Sequence, residues 1–311
     1  MRKLILLLLS GTLSTACIDK DYDLGEIDTD DITIGSEESQ FRIPLATVLV
    51  TKDEIKNSGG DIEAIFDEAD IWLPSPLPEG AKSVNLQLLR TDPDEVGKLL
   101  DALTAQMLTD NDKLNAIADL LCEDKYIGTF LPLLPPGTNV NTFKPVFIEA
   151  FKNDAAMRET LSGAVRTEAH TYLTTLEVNQ LEYEVGHIDI SSDVVDMLAD
   201  NLDPKGTPNA KNTLFLYGKI TSGLPVSVLL DPLFSPTEIA FQVEVGADKT
   251  SNDIPETQLF AEDLRQIVEG VTIRIPVTLK EYYPGRGFSD DQHQIVISLS
   301  LLKNGGLKLD I

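Results

Sequence analysis

Apolar residues recur at two different spacings along this chain, and the change of spacing organises it. Between 92 and 175 they return every three or four positions; after 176 they return at every second one. The first block opens on Asp92-Pro93-Asp94-Glu95. Asp92 can cap a helix, Pro93 suits its first position and Glu95 completes a capping-box-like pattern. Val96, Leu99, Leu100, Leu103 and Met107 then fall on one helical face, and Leu114, Ile117, Ala118 and Leu121 on a second. Leu131 to Gly137, with three prolines, must be a loop or polyproline turn. Val146, Phe147, Ala150 and Phe151 begin another helix. Asn153 can cap the next, which carries Met157, Leu161, Ala164 and Val165 toward Leu173.

From 176 onward the pattern alternates. Leu181, Tyr183 and Val185 read as a strand, as do Leu214 to Gly218, Val226 to Leu230, Ile239 to Val245, Val271 to Leu279 and Ile295 to Leu301. Asp193–Leu202 and Glu262–Glu269 are short helices between them. Asn304-Gly305-Gly306 suits a tight hairpin turn into Leu307, Leu309 and Ile311. Before the helical block, Phe41–Val50 is a first strand, whose Pro44 points to a sheet edge. Asp53–Ala69 is weakly helical, broken at Ser58-Gly59-Gly60, and Val84–Leu89 returns as a strand. Leu73-Pro74 and Leu224-Pro225, each ahead of a strand, hint at two related units. Alternation of this kind gives one buried and one wet face, which is antiparallel rather than parallel α/β character. The expected fold is α+β: mainly antiparallel sheet, sandwich-like or curved, with a helical insertion at about 92–175.

The N-terminus carries an address. Arg2 and Lys3 precede the apolar run Leu4–Leu9, and small residues lead to Ala16-Cys17. This is the build of a secretion signal over 1–16, too short to span a membrane. Ser14-Thr15-Ala16-Cys17 resembles a bacterial lipobox, which implies cleavage before Cys17 and lipidation of that cysteine. With the acidic start Cys17-Ile18-Asp19-Lys20-Asp21-Tyr22-Asp23-Leu24 it is similar to Bacteroidota outer-membrane and cell-surface lipoproteins. The resemblance implies an outer-membrane protein held by acyl chains and facing outward. Cys122 is then left alone and is expected in the core, with no intramolecular disulfide. Residues 17–39 hold a net charge of −8 and read as a solvated tether. Asp19, Asp21 and Asp23 have the first spacings of a calcium loop, but Leu24 stands where glycine is required and Asp30 where glutamate is.

Charge and missing motifs narrow the function. The net charge of −26 opposes binding to nucleic-acid phosphate. His170, His187 and His293 lack metal-ligand spacing, and no HExxH, paired CxxC, phosphate loop or GxSxG is present. No catalytic residue, metal site or cofactor is expected, although a pair of carboxylates assembled in space could still hydrolyse a glycoside. The segment Glu281 to His293 joins two strong strands. Its Tyr282, Tyr283, Arg286, Phe288, Asp290 and Asp291 are the candidate ligand-binding residues, since rings with charged neighbours suit a sugar or a protein partner. The bland alternative is an ordinary long hairpin.

Three functions remain. The first is a non-enzymatic binding or scaffold module for an extracellular glycan or protein. The second is a lipid carrier, because the order of a long helical block and a sheet is similar to tubular lipid-binding proteins. The third is a fimbrial subunit, with Arg42 as a processing site ahead of the first strand. The body from 40 to 311 is either one unit or two, divided at 175/176.

Overall fold

The structure is a computed structural model that describes residues 32–309 other than 179, 189, 248 and 289–292. Cys17, the signal segment 1–16, most of the tether, Asp290 and Asp291 lie outside the described residues.

The N-terminal third is helical from Lys52, well before 92. β1 (Ile32–Ile34) and β2 (Gln40–Thr51) lead into α1 (Lys52–Gly59) and α2 (Ile62–Trp72). The strand read at Val84–Leu89 stops after two residues, β3 (Val84–Asn85). The Asn85 side chain ends it by accepting from the N–H groups of Gln87 and Leu88, which starts α3 (Leu86–Thr91). Then follow α4 (Pro93–Thr109), α5 (Asn111–Leu120), α6 (Asp124–Phe130), α7 (Phe143–Asn153) and α8 (Ala155–Thr175). Asp92 caps α4 with Pro93 in its first turn, but Glu95 pairs with Lys98. Asp154, not Asn153, caps α8, and the Asn153 amide bonds Glu149. Cys122 lies past the end of α5 and is exposed, so it is not the core residue its surroundings suggested.

The second half contains β4 (Leu181–Val185), α9 (Ser192–Asp200), β5 (Thr213–Ser222), β6 (Val226–Leu230), β7 (Leu233–Ser235), β8 (Val243–Val245) and β9 (Ser251–Leu259). It ends in α10 (Ala261–Glu269), β10 (Val271–Ile275), β11 (Val277–Tyr282), β12 (His293–Asn304) and β13 (Leu307–Leu309). Every strand pair among the described residues is antiparallel. The spine is a four-stranded sheet, β2-β12-β5-β9, with β2 at an edge as Pro44 required. Arg42 lies inside β2, opposite Leu302, and not ahead of the strand.

Two long strands of the sequence reading are divided. Val271–Leu279 breaks at Pro276: β10 joins β4 and β7, while β11 joins β3 and β6, with β8 beyond β6. Its partner breaks in step at Asp231-Pro232, and the Asp231 N–H donates to the Pro276 carbonyl across the bend. Each proline removes a ladder donor, so both strands turn together from one sheet to the next. Ile239–Val245 keeps only its last three residues as strand. The turn after Asn304 does not fold β13 onto β12, because both edges of β12 are already occupied by β2 and β5; β13 pairs with β1 instead.

Side chains fill two cores. The larger lies under the helices and takes in Trp72, Leu103, Phe130, Phe147 and Leu161 together with Val226 and Leu279. Phe143, Phe147 and Phe151 stack down one face of α7 at ring-centroid separations of 5.8 and 6.1 Å, and Phe130 meets Phe147 edge-on at 6.4 Å. The smaller core lies between α9, α10 and the far end of the spine, around Leu214, Leu216, Leu264 and Leu301. β5 and β12 feed both cores, since Ile220 and Ile295 belong to the first.

Candidate functional site

The segment after β11 is tied to the helical block by one carboxylate. Tyr282, the last residue of β11, is only 2% exposed. Its ring stacks on Phe66 of α2 at 4.6 Å, and its hydroxyl donates to Asp70 Oδ1 at 2.6 Å. Asp70, one turn along α2 from Phe66, also accepts the Gly285 N–H at 3.0 Å. Burial, then the bond to Asp70, raises the Tyr282 pKa. Tyr282 is therefore a core residue that positions the loop, not a surface contact for a ligand.

Beyond it the loop presents polar and aromatic surface. The Arg286 guanidinium lies 4.4 Å from the centroid of the half-exposed Tyr283 ring, and the Tyr283 N–H donates to the Pro225 carbonyl. Phe288 packs on the edge of the large core, with the Lys52 ammonium 5.5 Å over its ring. Tyr283 and Arg286 thus come together, while Phe288 sits beside Lys52, just past the Thr51 end of β2. Asp290 and Asp291 lie outside the described residues. His170 and His187 are exposed at separate places, on α8 and after β4. Among the described residues no group of three or more His, Cys, Asp or Glu is placed to hold a metal ion.

Sequence reasoning missed a second polar cluster. Glu68 of α2 accepts from Trp72 Nε1 at 3.2 Å, from Lys125 Nζ at 2.9 Å and from the Tyr126 hydroxyl. Lys125 also lies over the Tyr126 and Tyr172 rings at 4.8 and 4.7 Å. The Tyr172 hydroxyl donates to the Ile65 carbonyl. Burial and the nearby Glu68 raise the pKa of both tyrosines. Nearby, the buried Lys113 ammonium donates to the Asp70 and Leu73 carbonyls at the end of α2, and desolvation lowers its pKa to about 8. These groups are partnered within the fold, and their arrangement explains how α2 is held. Their sequence signal was weak, because the cluster draws on three helices far apart in sequence, α2, α6 and α8.

The hollows are modest. One of about 120 Å³ lies between Leu77, Val84 and Leu99. A shallow one of about 560 Å³ lies on α7 and α8 beside Val146 and Met157. A third, about 410 Å³, is bounded by His187, Ile190 and Arg265, whose guanidinium is held by Asp196 and Asp200. Among the described residues, the interior of the helical block is packed by its phenylalanines. Among the described residues, no helix is long and apolar enough to cross a membrane.

No family model matches the chain, and no curated protein matches it. Among solved structures, a protein from Parabacteroides distasonis ATCC 8503, described as a "putative secreted protein", is similar over 40% of this chain and 38% of its own. The two share 16% identity with a TM-score of 0.26. The chain spans well under two thirds of that protein's length, and a likeness this slight assigns neither fold nor activity.

Proposed function

We propose that the chain is a lipid-anchored binding module of the outer membrane, held by acyl chains on Cys17 and facing outward. It is not an enzyme in this reading. It contacts an extracellular glycan or a surface protein through Tyr283, Arg286 and Phe288. The observation that carries the reading is the way that loop is built. A half-buried carboxylate, Asp70, fixes its first residues against α2, while the Tyr283–Arg286 pair stays at the surface. Fixing a loop in advance lowers the ordering cost of binding, and ring-plus-guanidinium surfaces dominate many interfaces. The lipobox-like sequence and acidic tether support the address.

Fractionation and surface proteolysis test the address. The chain is expected in the outer-membrane fraction, labelled by an alkyne fatty acid and cut by proteinase K on intact cells. Cys17→Ser is expected to lose the label and leave the membrane. A Cys17→Ser protein that stays membrane-bound would overturn the anchor.

A further inference from the structure

The spine sheet has two faces, and both cores lie on the same one. Ile220 and Ile295 face the large core, and Leu214, Leu216 and Leu301 the small one. The intervening residues of each strand point the other way. Register places Phe215 beside Leu302 and Tyr217 beside Ser300, with Lys219 beside Ser298 and Ser298 beside Thr47 on β2. Phe215 and Tyr217 are half-exposed, Thr47 and Ser298 exposed. The hydroxyls of Thr47, Ser298, Ser300 and Tyr217 have no side-chain hydrogen-bond partner among the described residues.

Charge distinguishes this face from the rest of the molecule. Arg42 and Lys219 balance Asp253, which pairs with Lys219 at 3.1 Å, and Glu256 at the bulge opposite Tyr217. The face is neutral within a chain of net charge −26. An anionic ligand would meet the repulsion of the whole molecule, and a cationic one would be drawn to the acidic surface elsewhere. What matches the face is an uncharged partner rich in hydroxyls, with flat apolar patches for two rings and alcohols to meet uncommitted donors and acceptors.

We propose that the outward face of β2, β12 and β5 binds a neutral polysaccharide, stacked on Phe215 and Tyr217. The inference rests on the reading of the chain as a surface binding module. It names the ligand class and a surface separate from the loop at Tyr283.

Affinity electrophoresis of the full chain in detergent tests it, in native gels cast with dextran, amylopectin, mannan, xylan or laminarin, and with alginate as the polyanion. Retardation is expected in at least one neutral gel and not in alginate. Tyr217→Ala should weaken it at least tenfold. Ser298→Glu, at an exposed position that leaves the core intact, should do the same, with unchanged circular dichroism and melting temperature. Retardation in no neutral gel overturns the proposal, as does retardation in alginate alone. If Tyr283→Ala abolishes retardation and the two face variants do not, the binding-module reading stands and the sheet face falls. If sedimentation shows a dimer that Ser298→Glu dissociates, with no polysaccharide bound, the face is a contact between copies and the proposal fails.

Discussion

The helical block and the sheet half bury their apolar surface by opposite routes. In the block, a single helix face carries each set of buried residues, and successive helices pack on each other, α4 on α5 and α7 on α8, before α8 returns against α2, α3 and α4. In the sheet half, β2 meets β12 and β3 meets β11 across most of the chain. One core is built from local periodicity, the other from long-range pairings. β5 and β12 contribute to both cores, so a single cooperative body is the expectation, and that is the part of the comparison most open to attack. Phe147→Ala removes a fully buried ring and should cost about 3–5 kcal/mol. Leu216→Ala in the smaller core should cost about 2–5 kcal/mol. Both are expected to lower one transition, seen alike by far-ultraviolet circular dichroism and tyrosine fluorescence. Two separate melts would divide the molecule into independent units.

The same contrast explains what was readable. Val96, Leu99, Leu100, Leu103 and Met107 were placed correctly because helical spacing is local, and all five are buried. The turn of two strands at Pro232 and Pro276 was not, because its cause is two prolines brought opposite each other only by pairing. β9 was missed altogether. It is an edge strand in which only Ile254 and Leu259 are buried, so its sequence does not alternate. For the site, the loop from 283 to 288 was found from its aromatic and charged content. Its anchor, Asp70, was not, since nothing near Asp70 in sequence signals a partner more than two hundred residues away.

A next, somewhat smaller effect is expected at the closest approach in the spine. A Cβ on Gly218 would lie 2.1 Å from the Ser298 carbonyl oxygen, which is backbone and cannot swing aside. Gly218→Ala should therefore push β5 from β12 and cost about 2–4 kcal/mol, measured by urea unfolding. Because both cores hang on these strands, a loss confined to one of them would weaken the shared-spine view.

Proton linkage sharpens the comparison further. Lys113 has a folded pKa of about 8 against 10.5 when free. Between pH 8 and 10 the folded chain releases this proton while the unfolded chain keeps it, so stability should rise with pH by about 2 kcal/mol. Lys303, buried in the sheet half with its ammonium on the Asn304 and Gly306 carbonyls, is also lowered and adds in the same direction. Above pH 10 the sign reverses. The raised pKa values of Tyr126, Tyr172 and Tyr282 let the unfolded chain ionise first. Denaturation across pH 7–11 should show a maximum near 10, and Lys113→Met should flatten its rising side. A rise unchanged in that variant would assign it to the sheet half instead.

The smallest effects fall at the loop, where the two regions meet. Asp70→Ala leaves the Gly285 N–H without its acceptor and the Tyr282 hydroxyl with only the Phe66 carbonyl at 3.1 Å, and should cost about 1–3 kcal/mol. The Gly285 amide should then exchange faster with solvent. Tyr283→Ala removes only a half-exposed ring paired with Arg286, so its cost should stay within about 0.5 kcal/mol. The order matters more than either value. If the loop is a contact surface held by the helical block, Asp70→Ala should disturb both folding and partner binding, and Tyr283→Ala binding alone. Equal destabilisation by the two variants would make Tyr283 part of the packing between the regions, and the loop an ordinary hairpin end that covers the edge of the large core.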